Sequence, residues 1–183
     1  MATADRRTLI QVFAINAFFF VAEGVAGWWA QSMGLLADGL DMLADAVVYG
    51  LSLSAIGQVA ARKRRIAHLS GYFQLALAAI GLAEVLRRAF GTEAMPEPWT
   101  MALVSLFALM GNLACLYLLR KARYGEAHMQ ASWIFTSNDA KVNVGVIAAA
   151  GLVALTGTRW PDLVIGTLVF ALVLRGAWRI LKL

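Results

Sequence analysis

Disulfide chemistry is excluded from the start: the chain has a single cysteine, Cys115, set in an apolar run where core packing is its default role. Charge is scarce as well. Only 15% of the 183 residues are charged and 61% are hydrophobic, with a mean hydropathy of +0.70. A chain this apolar is not a soluble enzyme and reads as a polytopic membrane protein. Low-complexity tracts and long linkers are missing. Phosphate-binding loops, nucleophile elbows, HExxH and cysteine-rich zinc motifs are missing too, so no enzymatic activity is expected. The N-terminal apolar run is longer than a signal-peptide core, and no small-residue cleavage site follows it in a polar context. A net charge of +5 would suit nucleic acid, but the basic residues fall in short segments between apolar runs. Membrane topology accounts for them, and no nucleic-acid partner is expected.

What the sequence does contain is long apolar runs. Six transmembrane helices are expected, at roughly 8–30, 33–58, 69–87, 99–120, 129–156 and 161–181, each near or above the ~20 residues that cross a bilayer. Together they form one transmembrane domain over residues 1–183. The alternation of a β-barrel is absent, so the fold class is all-α: a six-helix membrane bundle with its backbone groups satisfied internally. Arg6, Arg7, Arg62, Lys63, Arg64, Arg65, Arg120, Lys121, Arg123, Arg175, Arg179 and Lys182 fall on one side. Only Arg87, Arg88 and Arg159 fall on the other. The positive-inside rule then makes both termini cytoplasmic. Trp28, Trp29, Trp99 and Trp160 lie at the expected outer ends and Trp178 near an inner end, as interfacial anchors do. The chain stops soon after the sixth span, so function is expected in the bundle itself. The absence of a targeting segment suits a multi-pass protein of a bacterial inner membrane.

Three aspartates interrupt the second span. Asp38, Asp41 and Asp45 are spaced i, i+3, i+7 and project to one helix face. A carboxylate in hydrocarbon costs on the order of 3 kcal/mol, so such groups face a bundle interior or a water-filled path, and a mobile cation is the simplest counter-charge. Asp41 and Asp45 are expected roughly 12 and 18 Å below the outer end of their helix, and Asp139 roughly 15 Å above the inner end of the fifth. Asn16 of the first span reaches a similar layer, so carboxylates and amide oxygens share one depth. Asp41 with Asp45, and Asp139 with Asn143, are each one turn apart and can hold one ion between them. Oxygen ligands suit Mn²⁺, Mg²⁺ or Ca²⁺, while Zn²⁺ and Co²⁺ accept carboxylates but favour nitrogen and sulfur too. The competing reading is an interhelical hydrogen-bond network.

Other polar residues divide less sharply. Asp38 either lines the access path or bonds to the backbone near its helix start. Glu23 is a proton site or a salt-bridge partner. Glu84 has Arg87 and Arg88 at i+3 and i+4 and reads as a structural ion pair. Lys141 is two residues from Asp139, about 200° round the helix, and either snorkels or pairs with Asp38 or Glu23. His68 and His128 read as solvated loop residues, with metal gathering as the alternative. Glycines 24, 27, 34, 39, 145 and 151 are expected to permit close helix packing.

The run from Asn16 to Glu23, the block Gly34-Leu-Leu-Ala-Asp-Gly-Leu-Asp-Met-Leu-Ala-Asp45, and Asn138-Asp139 followed by Asn143-Val-Gly-Val together resemble the cation diffusion facilitator family. The resemblance covers nearly the whole chain. It implies six membrane helices, cytoplasmic termini and divalent metal/proton antiport, with Asp41 and Asp45 matching the paired ligands of the second helix. Asp139 matches the acid of the fifth-helix pair, often His-x-x-x-Asp. Phe135 stands where that histidine would be. The site implied here is Asp41, Asp45 and Asp139, with Asn138, Asn143 or Asn16 completing the shell. The cytoplasmic C-terminal domain of many family members is absent from this sequence, so dimerisation is expected to rest on membrane contacts if it occurs. The expected activity is efflux of a divalent Zn, Co, Cd or Mn-type ion against protons, with no permanently bound cofactor and the lipid bilayer as surroundings. The rival is a non-transporting membrane protein, an assembly partner or a degenerate metal sensor. A proton-linked carrier of an organic cation is a third reading, resting on Tyr49 and Phe135.

Overall fold

The computed structural model describes residues 2–54, 60–92, 94–120 and 127–182. Residues 55–59 at the expected end of the second span, and Lys121 and Arg123, lie outside the described residues. So do the side chains of Arg62, Lys63, Arg64, His128, Phe135 and Arg179. The described chain forms six helices and no strand: α1 (Ala2–Trp29), α2 (Met33–Ser54), α3 (Ala60–Phe90), α4 (Pro98–Leu119), α5 (Ala127–Thr156) and α6 (Trp160–Ile180). The all-helical bundle expected from hydropathy is the one observed. α3 begins well before the expected residue 69. Its 31 residues span about 46 Å, more than the ~30 Å hydrocarbon core requires. The run Ala-Ala-Arg-Lys-Arg-Arg consists of good helix formers and continues the helix instead of forming a loop.

Segments long and apolar enough to cross a bilayer are found at Arg6–Trp29, Pro98–Leu119, Thr136–Thr156 and Trp160–Trp178. α2, with its three aspartates, is not among them. Its position explains how it carries them. α2 packs against all five other helices, most extensively α1 and α6, so its polar residues face protein and not lipid. α4 pairs with α5 and also meets α1; α3 pairs with α6 and flanks α2. Lipid-facing side chains such as Phe18, Phe107, Met110, Leu168 and Leu172 are exposed around the outside. Trp28, Trp29, Trp99 and Trp160 are exposed at one end and Trp178 at the other, as the anchor reading expects.

α1 and α2 run backbone against backbone. A Cβ placed on Gly27 would stand 2.8 Å from the Leu36 nitrogen, and one on Gly39 would stand 3.1 Å from the Gly24 nitrogen. A Cβ on Gly34 or Gly145 would stand 2.9 or 2.7 Å from the Ile165 side chain. Gly24 and Gly151 differ from expectation, because nothing occupies the space a Cβ would take there. Replacing Gly27 with valine is expected to force α1 from α2 and lower stability by about 1–3 kcal/mol. The readout is the thermal unfolding midpoint in detergent; an unchanged midpoint would show that the two helices separate freely.

The end of the bundle opposite the termini is tied together by hydrogen bonds. Gln31, with a positive φ of 55°, turns the chain between α1 and α2. Arg88 reaches across from α3 and donates to the Gln31 carbonyl at 2.9 Å. Arg87 and Arg88 both hold Glu84, at 2.8 and 2.9 Å, which is the ion pair the spacing indicates. Glu97 caps α4, accepting from the Trp99 and Thr100 nitrogens at 3.1 and 2.5 Å. The neighbouring Thr100 side chain is the main reason its carboxyl sits below the usual range, with the two backbone N–H groups adding to it. Its contribution is therefore present near neutrality and fades as pH falls through that lowered value.

Two apolar clusters close the ends of the core. The one at the loop end includes Met33, Leu35, Met101, Val146, Leu163 and Phe170. The one at the terminal end is built from Leu9, Val12, Tyr49, Cys115 and Leu119. Cys115 thus plays the packing role expected of it. The acids of the second span lie between these clusters.

Candidate metal centre

Asp38, Asp41 and Asp45 rise along one face of α2 towards α1 and α5. Asp38 is fully buried and Asp45 nearly so, while Asp41 is half-buried. From α5, Asp139 and Asn143 are buried; from α1, Asn16 and Glu23 are buried. The Asp139 carboxylate lies within electrostatic reach of Asp45, Asp41 and Asp38. Acids of two separate helices therefore occupy one buried layer. Among the described residues, however, no three histidine, cysteine, aspartate or glutamate side chains converge closely enough to hold one ion as they stand.

The two asparagines are aimed in a consistent way. Asn16 donates its amide hydrogen to the Val12 carbonyl at 2.9 Å, and Asn143 donates to the Asp139 carbonyl at 3.0 Å. The reverse orientation would set oxygen against oxygen, so the chemistry determines which way each amide faces. Each is left with a buried oxygen that has no donor. One oxygen each of Asp45 and Asp139 is in the same condition. Glu23 and Asp38 stand side by side within hydrogen-bonding reach, yet none of their four oxygens receives a donor. Among the described residues, Asp38 finds no backbone partner at its helix start and Glu23 no salt-bridge partner. Buried polar atoms without partners are rare, and a concentration of them marks a place for water or an ion.

Asn138 stands apart from the buried layer. Its side chain is exposed, and its oxygen accepts from the Lys141 ammonium at 3.4 Å. It shares neither the face nor the burial of Asp139, because adjacent helix positions point about 100° apart. Lys141 is exposed too and pairs with neither Asp38 nor Glu23. Phe135, whose side chain lies outside the described residues, adds nothing to the geometry. His68 is half-buried with an unpartnered Nε2.

Some polar interior residues escaped the sequence reading. Thr136, one turn before Asp139, is fully buried with an unpartnered hydroxyl. On α4, Ser105 and Asn112 are fully buried, and among the described residues neither the Ser105 hydroxyl nor the Asn112 amide finds a partner. Their seven-residue separation places them on one face, and an amide within so apolar a span was a legible signal. These orphaned groups, with those of Asn16, Glu23, Asp38, Asp45, Asp139 and Asn143, all belong to α1, α2, α4 and α5.

Residues 9–182 match the cation efflux transmembrane domain. The chain belongs to the cation efflux family. It is 31% identical over 194 residues to the zinc transporter ZitB of Yersinia pestis, covering 98% of this chain and 61% of that protein. It is 28% identical over 190 residues to the metal cation efflux system protein CzcD of Cupriavidus metallidurans, covering 97% and 60%. It is 24% identical over 194 residues to the cadmium, cobalt and zinc/H(+)-K(+) antiporter of Bacillus subtilis, covering 98% and 62%. The chain thus spans about three-fifths of the length of these relatives. Membrane-spanning helices and bacterial transporters of this kind as relatives make it a multi-pass inner-membrane protein.

Proposed function

We propose that this bundle exports a divalent cation in exchange for protons, with Asp41, Asp45 and Asp139 as the charged ligands. The observation that carries the reading is the buried layer that carboxylates of α2 and α5 share within electrostatic reach, with oxygens left unpartnered. Asn143 and Asn16 add neutral oxygens aimed into the same core. Carboxylates in a low-dielectric interior need their charge answered, and either a metal ion or protons can do so. Exchange of one for the other is the coupling. The relatives bear zinc, cadmium and cobalt in their names. Here the donor set is all oxygen, which extends the expected range towards Mn²⁺. Both termini face the cytoplasm in this reading. Arg6, Arg7, Arg65, Arg120, Arg175 and Lys182 gather at the terminal end, whereas Arg87, Arg88 and Arg159 are engaged in bonds at the other.

Among the described residues no three acids form a cage in the present arrangement, so binding in this reading calls for a shift of the helices. That same observation is what favours the rival, a non-transporting relative. Everted membrane vesicles decide between them. An acid-inside gradient is expected to drive accumulation of Zn²⁺, Cd²⁺, Co²⁺ or Mn²⁺, and collapse of the gradient to stop it. Asn138→Ala and Lys141→Gln are expected to transport like the unaltered protein, because both side chains face away from the layer. Failure to accumulate any of the four ions would support the non-transporting reading.

A further inference from the structure

Tyr49 heads the fully buried side chains by volume and is 2% exposed, yet metal ligation by the acids makes no use of it. It follows Asp45 by one turn on α2. Its ring lies in the terminal-end cluster with Leu9, Val12, Cys115 and Leu119, against which Trp133 packs. These residues come from α1, α2, α4 and α5, so all four helices contribute to the cluster. The Tyr49 hydroxyl lies beside the Asp45 carboxylate and the Thr136 hydroxyl without completing a well-aligned hydrogen bond to either. Tyrosine is apolar in its ring and polar at its tip. Tyr49 occupies the boundary between the apolar barrier and the acid layer, with each end in matching surroundings.

We propose that Tyr49 couples the metal site to the terminal-side barrier: its hydroxyl positions Asp45 against Thr136 across α2 and α5, and its ring closes the path behind a bound ion. Asp45 has two oxygens. With one drawn to a cation, the other is available to accept from the phenol, the kind of supporting bond that orients a ligand. That bond holds the ring in the cluster, so a loaded site is sealed on the side from which the ion came. The hydroxyl's part rests on the metal-site reading above; the ring's part does not.

Cys115 supplies the test, being fully buried in that cluster and the sole cysteine of the chain. The measurement is its rate of modification by a water-soluble maleimide in purified full-length protein, with and without Zn²⁺. Zn²⁺ is expected to slow labelling severalfold in the unaltered protein. In Tyr49→Phe, which keeps the ring, metal-free labelling is expected to match the unaltered protein while the response to Zn²⁺ disappears. In Tyr49→Ala, labelling is expected to be roughly tenfold faster whether or not Zn²⁺ is present, since access governs thiol reactivity here. Tyr49→Leu serves in its place if the alanine variant does not fold, with faster labelling than in Tyr49→Phe expected. Labelling of the alanine or leucine variant at the unaltered rate would overturn the barrier. A normal Zn²⁺ response in Tyr49→Phe would overturn the hydroxyl's role. Failure of the unaltered protein to bind Zn²⁺, Cd²⁺, Co²⁺ or Mn²⁺ by calorimetry would remove the metal-site reading and the hydroxyl's role with it, while the ring's role still stands or falls on the alanine variant.

Discussion

Asp45→Asn and Asp139→Asn are each expected to abolish metal transport while raising the thermal stability of the metal-free protein. The two effects share a cause. Both carboxylates are buried and each has an oxygen with no donor, so in the empty protein they are destabilising. Asparagine has nearly the same shape and no charge, and burying it costs less than burying a carboxylate. The same replacement removes a charged ligand. Loss of a group that merely supports a metal ligand already costs about 10–100-fold in affinity, and loss of the ligand itself is expected to exceed ~100-fold. Stability is commonly exchanged for function at such sites. The measurements are vesicle uptake and the unfolding midpoint in metal-free detergent. If transport were lost but the midpoint fell, the acids would be structural hydrogen-bonding groups and the competing network reading would gain. If uptake persisted in both variants, the site assignment would be wrong.

Asp162→Ala is expected to do the opposite to stability, although it too removes a buried aspartate. Asp162 is 1% exposed, and its bonds are made. It accepts from the Ser32 hydroxyl at 2.5 Å and from the Met33 and Gly34 nitrogens at 2.6 and 2.9 Å. Ser32 in turn accepts from the Leu35 nitrogen at 3.1 Å. A helix start leaves several N–H groups without an intrahelical partner, and here a carboxylate from α6 closes the first turn of α2. Its negative charge also suits the N-terminal end of that helix. Alanine would leave the Met33 and Gly34 donors buried and unpaired. Hydrogen bonds to a charged group are worth about 1.5–3 kcal/mol each, so a loss on the order of 4 kcal/mol is expected. That corresponds to a fall of roughly 10 °C in the unfolding midpoint for a chain of this size. Metal binding should weaken as well, because the start of α2 determines where Asp38, Asp41 and Asp45 stand relative to Asp139. An unchanged midpoint would mean that α2 is capped from elsewhere.

The contrast between Asp45 and Asp162 shows how far sequence reasoning reaches. The acids of the second span stood out because three charges interrupt an apolar run at helical spacing. Asp162 follows Trp160-Pro161 at a helix start, where an acid is ordinary, and nothing nearby indicates that its partners lie some 130 residues earlier. Asn138 and Asp139 are neighbours in sequence and equally polar, yet one faces outward and the other inward. In the sequence Tyr49 stands only as an aromatic that could line a pocket for an organic cation; in the fold its two ends lie in different surroundings.

Sequence alone settled the class of the molecule. Composition demanded a membrane, run length demanded six helices, and the expense of charge in hydrocarbon pointed to Asp38, Asp41, Asp45 and Asp139 as a group with a task. Those inferences are local, since hydropathy and a 3.6-residue period need no knowledge of neighbours. Tertiary structure decided which side chains meet: α2 at the centre, Asp162 closing its first turn, Lys141 turned outward, Tyr49 between the acids and the apolar cluster. Partners far apart in sequence depend on how helices rotate and cross, and many packings satisfy the same apolar pattern.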